Sequence, residues 1–268
     1  MSAIRLQLRH APAGRIDLAG LNPGTVSRLA IKEIERLALG RDAKLKVGDV
    51  FKVSGSPGAT VAIETGGAGL DYVGRALSGG TLVVEGDVGA YAGEAMSGGR
   101  LEIRGNAGAF LGTGMTDGVV TVGGSAGDNL GSAIPGEKFG MLGGTVHVGG
   151  SIGARAGERM RRGVVVVKGA SGASTGSRMV GGTFVVEGGL GDGPGPLMRR
   201  GTLIAPSARS LLATFNDCGR HDLRFLGILH RYLADVLGSL APKPFPAMVR
   251  RYAGDMATIG KGEILLTT

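Results

Sequence analysis

A methionine recurs along this chain at Met96, Met115, Met141, Met160, Met179 and Met198, at intervals of 19, 26, 19, 19 and 19 residues. The long interval is 19 plus 7, and Leu77 holds the same position one unit earlier. A fixed short period means one structural unit stacked many times. Such a unit cannot bury its own apolar face, so neighbouring units bury it for one another.

Two columns follow the methionine by 5 and 7 residues. The first is Leu82, Leu101, Val120, Val146, Val165, Phe184 and Leu203; the second is Val84, Ile103, Val122, Val148, Val167, Val186 and Ala205. Apolar positions two apart are the signature of a strand with one buried face. The column between them, Val83, Glu102, Thr121, His147, Val166, Val185 and Ile204, is mixed, as an outward face would be. Glycine fills four more columns, beginning at Gly80, Gly86, Gly89 and Gly93. Glycine at one place in every unit marks a backbone that needs positive φ or close approach. A short strand followed by three tight corners describes one rung of a β-helix. Nineteen residues is too short for a helix-turn-helix repeat and lacks its 3.6-residue period. The expected fold is therefore an all-β solenoid, a β-helix with rungs of about 19 residues.

The seven-residue excess falls within 132–140 and predicts a loop projecting from one corner. An imperfect earlier rung begins at Thr60-Val61-Ala62-Ile63-Glu64 and ends near Gly74. The alternating segment Leu45 to Gly55 reads as strands. Three parts follow: an N-terminal cap over 1–44, the repeat domain over 45–206, and a C-terminal helix and tail over 207–268. In the cap, 25–39 has the spacing of a short helix followed by a strand. In the last part, Leu223, Leu226, Leu229, Leu233 and Val236 stand at helical spacing, with Asp222 as the expected N-cap. That helix is expected to cover the open end of the stack, where strand edges would otherwise be exposed. Pro242, Pro244 and Pro246 then enforce an extended linker, and the tail is expected to dock elsewhere on the protein.

With 53 glycines and no tryptophan, the composition would suit disorder if it were aperiodic. The apolar columns argue otherwise. No apolar run reaches the length of a membrane span, and no signal-peptide pattern opens the chain. The single cysteine, Cys218, excludes internal disulfides. A cytoplasmic location is the resulting expectation.

Chemistry is sparse. The nearest approach to a phosphate-binding loop, Gly254 to Gly262, has the wrong glycine spacing and lacks the Ser or Thr that would meet Mg²⁺. His10, His147, His221 and His230 are scattered, and the Cys218–His221 pair has no second pair to complete a metal site. His221 with Asp217 and Asp222 could be catalytic, but a cap between solenoid and helix explains it better. No Gly-x-Ser-x-Gly elbow occurs in a strand-turn-helix setting. Tyr91 and Phe110 share a column, yet Asn129 and Arg155 follow them, so the aromatic platform of a nucleic-acid binder is missing. The expectation is no active site, no metal and no nucleic acid.

Charge is the better lead. The formal net charge is +8, with 30 Lys and Arg against 22 Asp and Glu. Arg159 and Arg178 are one unit apart; Arg161 and Arg199 share a column two units apart, as do Arg162 and Arg200. Like charges on adjacent rungs repel, so Glu158, a neighbouring protein or an extended anion should compensate them. A solvated corner with splayed side chains is the plainer alternative.

Three segments carry a family resemblance: Gly48-Asp49-Val50-Phe51-Lys52-Val53-Ser54-Gly55; the rung Met-x-x-Gly-x-Val-x-Val-x-Gly-x-x-Gly-x-x-x-Gly; and the tail Tyr252-Ala253-Gly254-Asp255 with Gly260-Lys261-Gly262-Glu263-Ile264. The chain resembles the C subunit of formylmethanofuran dehydrogenases and of the related bacterial formyltransferase/hydrolase complex. Its rungs are also similar to the C-terminal Gly-x-Gly-x-Gly domain of the large subunit of glutamate synthase. The resemblance covers nearly the whole length and leaves no room for glutamate synthase's other domains. It implies a right-handed β-helix that supports catalytic subunits without doing chemistry. It also implies an amidohydrolase-like A subunit, a B subunit and a formyltransferase D subunit as partners. The complex would move a formyl group between tetrahydromethanopterin and a methanofuran-like coenzyme and release formate, with any metals in the other subunits. The alternatives are the C subunit of a tungsten or molybdenum formylmethanofuran dehydrogenase, and a stand-alone anion-binding solenoid. Coenzymes of the methanofuran type carry a γ-glutamyl chain, so Arg159, Arg161, Arg162, Arg178, Arg199 and Arg200 are the residues expected to attract it, or an acidic partner face.

Overall fold

The apolar pairs two residues apart become strands, and strands one repeat apart become neighbours. The computed structural model describes residues 3–9, 14–40, 44–64 and 69–268; His10 lies outside them. The elements ahead of the repeats are β1 (Ala3–Leu8), β2 (Ile16–Asp17), α1 (Pro23–Val26), α2 (Ile31–Arg36), β3 (Ala38–Leu39), β4 (Leu45–Lys46), α3 (Val47–Val50), β5 (Phe51–Gly55), β6 (Thr60–Glu64) and β7 (Leu70–Asp71). The short helix and strand expected within 25–39 correspond to α2 and β3. The reading of 45–55 as strand throughout is corrected by α3. The Asp49 carboxylate accepts from Lys46 N at 2.8 Å and closes a helical turn. That turn places Val47 and Val50 three apart, both buried.

The repeat strands are β8 (Thr81–Glu85), β9 (Ser97–Ile103), β10 (Asp117–Val122), β11 (Leu142–Val148), β12 (Arg162–Val167), β13 (Thr183–Val186) and β14 (Arg200–Ala205). They pair in parallel with the sequence columns in register, as Leu82 with Leu101, Leu101 with Val120, Val120 with Val146, Val146 with Val165, Val165 with Phe184 and Phe184 with Leu203. Parallel strands need a connection that crosses back to the starting edge. Here it is the glycine-rich remainder of each repeat, which bridges to its own neighbours at Ala107, Ala126, Ile152 and Ser171 in turn. The 132–140 segment takes up the extra residues as a loop whose tip, 135–138, is exposed. Met141 N rejoins the stack by donating to Gly131 O at 2.8 Å.

After the repeats come β15 (Asn216–Asp222), α4 (Phe225–Leu237), a 3₁₀ turn at Gly238–Leu240, β16 (Met248–Gly254) and β17 (Lys261–Leu266). The large sheet has thirteen strands in the order β15-β16-β17-β14-β13-β12-β11-β10-β9-β8-β6-β1-β5. It is mixed: parallel from β1 to β17, and antiparallel where β5 joins β1 and where β16 and β15 follow β17. The protein is thus mostly β with a C-terminal helix.

That helix does not cover the end of the stack. α4 lies on the outer face of the sheet, where Leu226, Leu233 and Leu237 form a second apolar cluster with Val166, Val185 and Ile204. Those outward apolar residues are the reason it sits there. Its N-cap is Arg224, not Asp222, which ends β15 instead. The tail docks on β14, with Leu203 opposite Ile264 in β17.

The six repeat methionines, Met96 to Met198, lie fully buried in the main core. From Met96 to Met179, each methyl group occupies the space where a glycine of the next repeat would carry a side chain. A Cβ on Gly163 would stand 2.7 Å from Met141 Cε and 2.9 Å from Gly143 O, at a φ of +98°. The same relation links Met160 to Gly182 and Met179 to Gly201. The methionine column and the glycine column therefore specify each other across one repeat. Gly163→Ala is expected to destabilise the protein by about 2–4 kcal/mol through overpacking and backbone strain. Gly227→Ala, inside α4 with nothing within 4 Å of the added Cβ, is expected to stabilise it by about 0.5–1 kcal/mol. Denaturant unfolding of the two variants beside the parent chain reads both.

Candidate functional site

The six arginines separate into two settings. Arg162 opens β12 and Arg200 opens β14, with Arg161 and Arg199 immediately before them. All four, with Val180 and Ile259, line one cavity of about 390 Å³. Two strand spacings, about 10 Å, separate the arginine pairs along the stack. The residues between them in the same columns, Val180 and Gly181, carry no charge. Among the described residues none of these four guanidiniums forms an ion pair with a carboxylate. Arg161 stacks over the Phe139 ring, 4.9 Å from its centroid, so the 132–140 loop borders the groove.

Arg159 and Arg178 do not line this groove; each directly precedes a buried methionine, and Arg159 lines a separate recess with Arg155 and Glu158. Both occupy the same corner with positive φ, 56° and 51°. The corner tolerates non-glycine residues because its N–H groups are well used. Arg159 N donates to Ser177 O at 3.0 Å and Arg178 N to Pro196 O at 2.8 Å. Glu158 already serves Arg178 at 3.2 Å and Arg155 at 2.8 Å. Arg159 reaches the loop carbonyl of Glu137 at 3.4 Å. Of the compensations expected from sequence, an internal carboxylate holds here, whereas the groove is left with unmatched positive charge.

A fifth cation that sequence reasoning missed stands next to the groove's lining. Lys261 of β17 lies directly beside Arg200. The signal was present, since Lys261-Gly262-Glu263-Ile264 repeats the pattern of Arg200-Gly201-Thr202-Leu203. Its 61-residue separation hid it from a search at period 19.

The residues weighed for catalysis have structural partners. His221 Nε2 contacts Cys218 O at 2.9 Å, and Asp217 is hydrogen-bonded to Arg250 Nε at 3.0 Å. That arginine holds the Asp217 carboxyl below its usual range. Among the described residues no three His, Cys, Asp or Glu side chains gather as a metal site, and no helix is long and apolar enough to cross a membrane.

His147 is the unexpected titratable group. It stands beside Val166 in the outward column and is only 3% exposed. Neither ring nitrogen has a hydrogen-bond partner. Tyr232 of α4 shares a 2.8 Å hydrogen bond with Thr145, two residues away, so the helix layer extends to this strand. Burial, reinforced by the Lys168 ammonium and opposed by Glu187, holds the imidazole below its usual pKa. Lys168 and Glu187 pair with each other at 2.7 Å.

No protein-family model matches the chain. It is 53% identical over 262 residues, 97% of its length, to the C subunit of the formyltransferase/hydrolase complex Fhc of Methylorubrum extorquens, and covers 98% of that protein. Its structure is similar, with a TM-score of 0.92, to a chain in the crystal structure of the formyltransferase/hydrolase complex (FhcABCD) from Methylorubrum extorquens in complex with methylofuran. That superposition covers 98% of this chain and 99% of the other and pairs residues at 43% identity.

The environment of His147 has a pH consequence. Its folded pKa is depressed, so below the unfolded value of about 6.5 the unfolded chain takes up a proton that the folded chain resists. Stability is therefore expected to fall as pH drops below about 6.5, with no contribution from this group well above it. His147→Val should flatten that part of the profile without loss at pH 8, because an unpartnered buried polar group is removed. Urea midpoints between pH 5 and 8 for both chains check this.

Proposed function

The chain belongs to the C-subunit family of formyltransferase/hydrolase complexes, and on that premise we propose that it is the non-catalytic scaffold of such a complex. The full-length match to a C subunit carries this reading. The partners would be an amidohydrolase-like A subunit, a B subunit and a formyltransferase D subunit, working in the cytoplasm. Together they would move a formyl group between tetrahydromethanopterin and a methanofuran-like coenzyme and release formate. The chemistry would belong to the other subunits.

We further propose that the parallel stack is a right-handed β-helix with 19-residue rungs. Residues 1–44 would form its cap, 45–206 its repeats and 207–268 its C-terminal helix and tail. In-register pairing on the sheet and the bridges through Ala126 and Ile152 on a second face support this reading.

The arginine groove would serve the coenzyme or an acidic partner. Arg161, Arg162, Arg199 and Arg200 offer planar donors in two pairs, without a competing carboxylate. That donor set fits a flexible chain of carboxylates, such as the γ-glutamyl tail of a methanofuran-type coenzyme. Arg159 and Arg178 would contribute field more than contact.

Two measurements test the reading. Native co-purification at low salt should recover A, B and D subunits without tungsten or molybdenum. Those metals with iron–sulfur partners would assign the chain to the dehydrogenase, and recovery of the chain alone would overturn the scaffold. Within the complex, Arg199→Glu with Arg200→Glu is expected to weaken coenzyme retention, or assembly if the partner is an acidic face, at least about tenfold at low salt. The loss should shrink as salt rises. Arg178→Gln, which alters an arginine already matched by Glu158, should change either by much less.

A further inference from the structure

α4 has two apolar faces, and the sheet uses only one. Leu226, Leu233 and Leu237 point inward and are buried. On the opposite side Ile228 is 70% exposed and Phe225 39%, and Tyr232, 43% exposed, borders them with its ring while its hydroxyl reaches Thr145 of the sheet. At about 100° per residue these three fall within about 60° of helix circumference. They form a continuous strip at spacings of three and four. Ile228 has the highest relative exposure of the large exposed apolar side chains among the described residues. Helix formation does not call for it, because a β-branched residue at a solvated helical position is less favourable than Ala, Lys or Glu. Contact with the core does not call for it either, since the inner face is already filled.

Charge restricts what can cover this strip. Arg224 and Arg231 flank Ile228 on the side away from Phe225 and Tyr232, and both are exposed. Asp235 is the single acidic residue in α4. A second copy of this chain would bring arginine toward arginine between molecules that each carry a net charge of +8. A partner with an apolar cleft and an acidic rim meets both halves of the surface. We propose that the outer face of α4 is a docking surface for one such member of the complex, with Ile228 as its central anchor. This rests on the scaffold reading above and adds to it a location, since the arginine groove lies at the start of the strands and α4 lies across their outer face.

The test uses the assembled complex. A photo-crosslinking benzoylphenylalanine in place of Ile228 is expected to join this chain to a single partner protein, at a segment with apolar residues beside Asp or Glu. Ile228→Asp is expected to reduce incorporation of that partner at least about tenfold, in low and high salt alike. Arg224→Glu with Arg231→Glu should reduce it in low salt only. All three positions are exposed, and an unchanged circular dichroism spectrum verifies the fold. A crosslink to a second copy of this chain, a crosslink to no protein, or normal assembly of Ile228→Asp each overturns the proposal. If the wild-type chain assembles and Ile228→Asp assembles equally well, the docking surface fails and the scaffold stands; if the wild-type chain gathers no partner, both fail.

Discussion

Every repeat in this protein completes the hydrogen bonding of the one before it. Corner N–H groups donate onward to the next repeat, as Tyr91 N to Ala109 O and Arg155 N to Ala173 O. A side-chain ladder runs alongside. Asp87 accepts from Asn106 N, Asn106 from Ser125 N, Ser125 from Ser151 N and Ser151 from Ala170 N. Because a buried backbone group without a partner costs as much as a lost hydrogen bond, this dependence propagates through the stack. It also explains how seven extra residues are absorbed. They leave the stack after Ala133, whose N–H donates to Glu158 O, and return at Gly140, whose N–H donates to Arg159 O, so the repeats on either side still meet.

A structure built this way has a problem at each end, where the next repeat is missing. Non-repeating segments supply the missing partners. At one end β1 continues the parallel order beyond β6, and β5 turns back to finish it. At the other, β17 stands in for another repeat strand, and β16 and β15 follow it in antiparallel. The substitution extends to single groups. Leu197 occupies the corner position held by Arg159 and Arg178. Its N–H finds the Asp255 carboxylate at 2.8 Å, where an earlier repeat would find a carbonyl. Gly193 N likewise finds Ser210 Oγ at 3.0 Å. The tail motif Tyr-Ala-Gly-Asp, which set this sequence apart from a generic repeat, thus owes part of its character to closing the stack. The outermost strand, β15, is polar and exposed along its length, which discourages further pairing.

What the sequence made legible follows from the same constraint. Side chains that must stack on copies of themselves leave periodic columns, so the strands, their register and the inward methionines could be read directly. Features fixed by contacts between unlike segments left no such trace. The helix in 222–237 was visible from its leucines. Its seat on the sheet face is set by the cover that Val166, Val185 and Ile204 require, contacts between unlike segments that carry no period. Asp222 looked like an N-cap, but pairing with Met248 in β16 holds it in a strand. The α3 turn hid inside an alternating segment because Val47 and Val50 suit a helical turn while Val47 and Phe51 would also suit a strand. Lys261 joined the arginines only through the tail.

The distribution of charge separates two settings within one residue type. In a parallel stack, equivalent arginines fall on neighbouring strands, so repulsion between them is a cost unless something negative intervenes. The corner solves this internally: Glu158 lies between Arg155 and Arg178, and the three form a compact ion-paired group. A chain selected only for stability could have placed a carboxylate in the groove in the same way, at Val180, between Arg161–Arg162 and Arg199–Arg200. It has none there, and Lys261 adds another positive charge at the end of the row. Two strand spacings, about 10 Å of backbone separation, weaken the repulsion between the arginine pairs but do not neutralise it. The remaining field is available to an anion from outside, and a flexible polycarboxylate spanning both pairs would gain contacts at each without ordering any new part of the protein.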